Sequence, residues 1–150
     1  PFVLSYIRDV EKVVFSSKAY YHFMRARAES ETAKYKRELY EKREEEHGWM
    51  LSLYNYWNVT SDESREMLNR RYIERVVGCI ENVTNSACTL TTKEKKEQIK
   101  NMITSENVRT ALKYAKPNSL VMKIMLIPIT HSKRIMSFVM KQGLVVRGLV

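Results

Sequence analysis

Glycine, proline and cysteine are all scarce in this chain: four, three and two residues respectively among 150. The glycines form no P-loop, no glycine-rich dinucleotide loop and no nucleophile elbow, each of which needs glycines at fixed, close spacing. The cysteines, Cys79 and Cys88, lack metal-like spacing and have no His nearby, so they read as buried or free thiols in a reducing compartment. His22, His47 and His131 stand far apart, and no pair has ligand spacing on a helix. Long apolar runs are missing as well. The longest uncharged one, Ile124–Ile129, falls far short of the roughly 20 residues that span a bilayer. No segment at the start has the charged-then-apolar layout of a signal peptide. Pro1 stands where an initiating Met would be, so the chain is expected to be a fragment.

Acid is absent from the end of the chain. The stretch up to Val108 carries 18 Lys/Arg against 17 Asp/Glu, whereas Arg109–Val150 carries 8 Lys/Arg and no acid. Almost all of the net charge of +9 therefore sits in the tail, which points to an anionic partner there.

What is present is mostly helical in pattern. Phe2-Val3, Tyr6-Ile7 and Val10 recur at helical spacing and predict a short amphipathic helix. Thr32 is expected to cap a long helix whose apolar side is Tyr35, Leu39, Trp49-Met50, Leu53 and Tyr56-Trp57. Glu41–Glu46 is expected to face water, because adjacent helical residues fan around the axis rather than converge on a metal or a proton. Asn58-Val59-Thr60 breaks the pattern, and Thr60-x-x-Glu63 has the spacing of a capping box. The sequons at Asn58 and Asn82 read as a helix-end Asn and a chance match.

The following helix carries Met67-Leu68, Tyr72-Ile73, Val76-Val77, Ile80 and Val83 on one side and Arg65, Arg70, Arg71 and Arg75 on the other. Two long amphipathic helices joined by a short turn pair antiparallel. The arginines are expected to pair with Glu38 and Glu41–Glu46 of the neighbour, the alternative being a phosphate-binding ridge. Thr91-x-x-Glu94 repeats the capping box ahead of Ile99, Met102 and Ile103. Ser105 caps a short helix with Val108, Leu112 and Ala115 inward, stopped by Pro117. Ser119 caps Leu120–Ile127, Pro128 breaks it, and Ser132–Gln142 is a last helical piece closed by Gly143.

The exception to helix is the opening stretch. Val13-Val14-Phe15 and Ala19–Met24 are rich in β-branched and aromatic residues and are parted by Ser16-Ser17-Lys18, which predicts a strand-loop-strand. An isolated pair of strands is marginal in water, so this one is expected to complete a larger sheet.

Here the order of features resembles the end of the catalytic domain in bacterial family 2 glycosyltransferases (GT-A type). In that family a Glu-Asp pair opens a helix, and an apolar strand follows. A tyrosine-rich strand, an Arg and a Ser-Thr-like turn then lead into C-terminal helices. Residues 1–10 match the helix and Lys12–Phe15 the apolar strand. Lys18–Arg25 matches the tyrosine-rich segment and Ser30-Glu31-Thr32 the turn, with one extra residue before Ser30 and no Pro or Gly within it. The match covers about the first fifth of the chain.

The resemblance implies that residues 1–32 end a catalytic domain and that 33–150 form a helical domain with the basic apolar tail 109–150. The expected fold class is mainly α: a bundle built on the long antiparallel helix pair, with the small N-terminal strand-loop-strand. The whole enzyme would move a sugar from a nucleotide-sugar donor to a polysaccharide or lipid-linked acceptor. It would use a divalent metal (Mg or Mn) held by an Asp-x-Asp further upstream. This fragment would hold no catalytic residue and no cofactor, and its partner would be the upstream catalytic domain. Arg25, Arg27, His22 and Tyr21 would be substrate-binding, with an Arg neutralising the diphosphate leaving group through its planar fork. Lys123, Lys133, Arg134 and Lys141 would meet an anionic surface, placing the protein in the cytoplasm, peripheral on the inner membrane. The alternative for the tail is that its apolar residues close the helical core. Alternatives for the whole are a helical nucleic-acid-binding or dimerisation module using the tail. The tail lacks aromatics interleaved for base stacking, so nucleic acid is the weaker of the partners.

Overall fold

The computed structural model describes residues 2–20, 34–120, 122–124 and 126, and these are mainly helical. Among the described residues the helices with described bounds are, in order, α1 (Phe2–Ile7), α2 (Leu39–Tyr56), α3 (Asp62–Thr84), α4 (Thr92–Thr104) and α5 (Glu106–Ala111). Among the described residues there is no strand. Val13–Phe15 has irregular backbone, and its side chains are 67, 91 and 92% exposed, so the strand expected there is not found. The physical reason is a missing neighbour, since a strand is defined by the ladder it joins and none of these residues has a backbone partner among the described residues. The break at Ser16–Lys18 is a local turn in which the Ser16 hydroxyl accepts from the Lys18 N–H at 3.2 Å. The second half of the expected pair, Tyr21–Met24, lies outside the described residues.

Helix α3 is the hub, packing against α2, α4 and α5. Its buried residues are Leu68, Asn69, Tyr72, Ile73, Val76, Val77, Cys79, Ile80 and Val83. At about 100° per residue these fan over roughly half the helix circumference, which is the arc three neighbours need. Ile99, Met102 and Ile103 of α4 and Val108 and Ala111 of α5 complete the core, and Leu126 closes it from beyond Pro117. Fully burying such an aliphatic side chain contributes about 1.5–3 kcal/mol. Cys79 and Cys88 are free and buried.

Local signals set the helix ends. Asn58 sits in the left-handed region at φ 51°, two residues past the end of α2 and just after its C-cap Trp57. Its N–H donates to Asn55 O and that of Val59 to Tyr54 O, a Schellman pattern that satisfies the last carbonyls. The cap of α3 falls one residue later than the Thr60 box suggests. Ser61 accepts from Ser64 N–H at 3.2 Å and bonds its hydroxyl at 2.9 Å. The Thr91–Glu94 box forms in full, and Ser105 and Ser119 accept from Val108 and Met122 N–H. Helical backbone resumes at Leu120 behind Ser119. Helix α2 begins at Leu39 rather than behind Thr32, with Glu38 at its N-cap and no side-chain cap.

Lys36, just ahead of α2, meets Asn82 near the end of α3, whereas Glu44 and Glu46 farther along α2 meet Tyr72 and Arg75 farther back in α3. The two are therefore antiparallel, joined by residues 57–61. Helix α1 docks on the far end of α2, where Trp57 Nε1 donates to Arg8 O at 2.8 Å and the Tyr56 hydroxyl to Asp9 at 3.2 Å.

Candidate functional site

Tyr21, His22, Arg25 and Arg27, named from sequence as substrate-binding, lie outside the described residues, as do Lys133, Arg134 and Lys141. Lys123 is described: it is exposed, and its N–H donates to Ser119 O. The arginines of α3 are largely engaged in pairs. Arg75 reaches Glu46 of α2, which also accepts from Arg43 at 2.7 Å. Arg70 bridges Glu66 and Glu74 of its own helix, at 3.0 and 3.3 Å. Arg65 lies 3.5 Å from Asp62 and stacks over Tyr114. Only Arg75 thus takes an α2 acid, and Glu38 pairs within α2 with Lys42.

Two arrangements remain that carry unusual polar chemistry. The first is a seam between α2 and α3. Helix α2 buries only His47 and Leu53, so its inward side is mostly polar. Glu44, expected to face water, is half-buried and accepts from the Tyr72 hydroxyl and from Asn107 Nδ2 of α5 at 2.7 Å. Glu46 is likewise half-buried, whereas Glu45 is exposed. His47 stacks flat on Tyr72, ring centroids 3.9 Å apart and 12° from parallel. Burial holds its pKa below the usual histidine value, against the opposing pull of Glu44 and with the help of Arg75. Burial also raises the Tyr72 hydroxyl far above the ordinary tyrosine range, and its bond to Glu44 adds to that. Tyr40, lying beside the same groups, is pushed up to about 12, chiefly by burial. Its hydroxyl is buried close to Ser105, Glu44 and Tyr72 without reaching hydrogen-bond geometry to any of them. With its phenols held protonated and its histidine neutral, the seam suits structural hydrogen bonding better than proton transfer near neutral pH.

The second arrangement is a cleft of about 210 Å³ at the opposite end of α2 from α1, enclosed by α2, α3 and α4. Its floor is Cys79, Val83 and Met102, and Tyr40 forms part of the wall. Burial pushes the Cys79 thiol up to about 11, so it is not a nucleophile there. Arg37, Glu41, Gln98 and Asn101 stand around the opening. The Asn82 side-chain amide accepts from Lys36 N–H at 2.9 Å and donates to Lys36 O at 2.8 Å, which pins the backbone next to Arg37 onto α3.

Among the described residues no group of three or more His, Cys, Asp or Glu is arranged to hold a metal ion. No helix among those residues is long and apolar enough to cross a membrane. Comparison with protein-family models, with curated proteins and with solved structures finds no match to any of them.

Sequence reasoning missed both arrangements. The seam hides in a run of charge that pattern reading assigns to solvent. The cleft draws its residues from three helices, and no spacing along the chain brings Arg37, Asn82 and Gln98 together.

Proposed function

We propose that this chain is the C-terminal part of a bacterial family 2 type glycosyltransferase, which transfers a sugar from a nucleotide-sugar to a polysaccharide or lipid-linked acceptor. The observation that carries the reading is the state of Val13–Phe15: three apolar side chains in succession, each at least two-thirds exposed, on backbone without a ladder partner among the described residues. Burying such a segment would contribute several kcal/mol in all, at about 25 cal/mol per Å² of apolar surface. It lies between a short helix and the helical core, where the resemblance expects a strand belonging to the sheet of an upstream domain. On this reading the helical core is a support for that domain, and the strand-loop-strand forms only when the domain supplies its neighbour.

The tail contributes docking. Lys113, Lys116 and Lys123 are exposed, and no acid follows Glu106 to oppose them. An anionic inner-membrane surface would gain roughly 1 kcal/mol for each such group brought near it. Tyr21, His22, Arg25 and Arg27 would line the donor and acceptor pocket, with the divalent metal bound upstream.

The test begins with the coding sequence before Pro1. A Glu-Asp pair within a few codons, and an Asp-x-Asp farther back among alternating strands and helices, is the expected result. The full-length product, purified and supplied with Mg or Mn, then transfers labelled hexose from one of a panel of nucleotide-sugars, while the 150-residue chain alone does not. A start codon directly before Pro1 would overturn the reading.

A further inference from the structure

The geometry points to a second binding site on this chain: the cleft between α2, α3 and α4 takes a single neutral saccharide ring. The opening carries a particular mixture of groups. Gln98 and Asn101 present primary amides, each with two donors and an acceptor, while Arg37 offers donors only and Glu41 acceptors only. None of the four side chains makes a hydrogen bond or ion pair among the described residues. Among those residues nothing competes with a ligand for them.

A sugar hydroxyl donates and accepts at once, so a ligand bearing several of them can satisfy amide, guanidinium and carboxylate together. One positive and one negative charge leave the rim neutral. An anion would meet Glu41 and a cation would meet Arg37, and a neutral ligand avoids both penalties. Below the rim, Cys79, Val83 and Met102 are 1, 2 and 4% exposed and present an apolar floor to the C–H face of a ring. The volume of about 210 Å³ is smaller than the roughly 300–1,000 Å³ of pockets that hold drug-sized ligands. It admits one ring, with any further residues of a chain left in solvent, and leaves no room for a nucleotide. The paired bonds of Asn82 to Lys36 hold the rim in place beforehand, which lowers the entropy lost on binding.

The site lies toward the end of α2 away from α1. Helix α1 meets α2 at Tyr56 and Trp57, and the stretch of α2 from Glu41 to Tyr56 places that end about 22 Å from the cleft. A sugar titration reads the cleft and the coding sequence before Pro1 reads the transferase, so failure of one is distinguishable from failure of the other.

The experiment is a titration of the isotope-labelled 150-residue protein with methyl glucoside, methyl galactoside and N-acetylglucosamine in turn, followed by NMR. A ligand this small binds with a dissociation constant on the order of millimolar. The expected result is saturable movement of the Gln98 and Asn101 side-chain amides and of the Val83 and Met102 methyls with at least one sugar. Asn101→Ala and Gln98→Ala each weaken that binding about tenfold while the resonances of the α3 core stay in place. Both are rim positions on α4, so a fold defect in one variant is checked by the other. If none of the sugars gives saturable shifts, or glycerol gives the same shifts, the proposal fails. It also fails if inorganic phosphate moves the same resonances in place of the sugars, since the cleft would then be an anion site.

Discussion

Replacing Tyr72 with Phe isolates the contact that joins α2 most closely to the hub helix. Tyr72 is 2% exposed, its ring stacks on His47, and its hydroxyl donates to Glu44. Phe keeps the ring, its volume and the stacking, and deletes one donor. Glu44 then retains Asn107 as a donor in a half-buried setting. A hydrogen bond to a charged group contributes about 1.5–3 kcal/mol net. Tyr72→Phe should therefore lose about 2 kcal/mol, and for a domain of this length lower Tm by about 4–8 °C. Glu44→Gln keeps an acceptor for Tyr72 but removes its charge, and should cost about 1 kcal/mol. Because the two groups share one bond, the double variant should fall short of the sum by about 1 kcal/mol. Urea denaturation followed by circular dichroism, at about pH 8 where histidine is neutral, measures all four corners of the cycle. A loss below about 0.5 kcal/mol for Tyr72→Phe, or strict additivity in the cycle, would show that Glu44 gains nothing from Tyr72 and would refute the seam as a joint.

Further expectations concern the same helices. The folded-state pKa of His47 is lowered, so the unfolded chain binds the proton more readily, and stability should be full above about pH 6.5 and fall as the pH drops below it. A His47→Gln variant should flatten that slope in urea titrations, and an unchanged slope would exclude His47 as its source. Gly78 lies inside α3, where an added Cβ meets nothing within 4 Å, so Gly78→Ala should raise stability by about 0.5–1 kcal/mol in thermal melts. A lower Tm would mean that the position is occupied by something beyond the described residues. In hydrogen exchange, α2 amides should open through a partial unfolding that leaves Ile73–Ile80 protected, because α2 buries one aliphatic side chain and α3 buries six. Uniform protection across both helices would contradict this.

How much of this was legible in the sequence depends on how local each signal is. The apolar side of α3 was read almost residue for residue, because Leu68, Tyr72, Ile73, Val76, Val77, Ile80 and Val83 follow the helical period; Met67, at its edge, is 40% exposed. The caps at Thr91, Ser105 and Ser119 were also visible, since a hydroxyl reaching an N–H three residues on needs no tertiary information. Thr60 failed because Ser61 and Ser64 offer a competing pair one step later. Helix α2 was read less well. Tyr56 and Trp57 were assigned to the core on hydrophobicity, yet they are 62 and 42% exposed and serve α1 through their polar atoms. Leu39 and Leu53 do face inward as the pattern has it, but the other inward residues, Tyr40, Glu44 and His47, have the right period and the wrong polarity for a hydrophobic pattern to register. Val13–Phe15 shows the same limit from the other side. Its composition favours a strand, but a strand exists only with a partner, and composition does not say where the partner is.

The polar face of α2 also bears on what kind of joint the helix pair makes. An apolar stripe tolerates sliding by a turn, since one aliphatic surface resembles the next. The α2–α3 joint does not, because its contacts are paired: Lys36 with Asn82, Glu44 with Tyr72, and Glu46 with Arg75. A slip of one turn would strip the half-buried Glu44 of its donors, at a cost of about 1–3 kcal/mol or more for the uncompensated charged group. The same carboxylate holds Asn107, so the placement of α5 depends on the register of α2 through a single side chain. Such a joint contributes modestly to total stability and strongly to the choice of one arrangement over its neighbours. The cleft requires the second property. Its rim draws Arg37 and Glu41 from the α2 side and Gln98 and Asn101 from α4, and a shift of one turn, about 5.4 Å, would separate the two halves beyond the reach of one sugar ring.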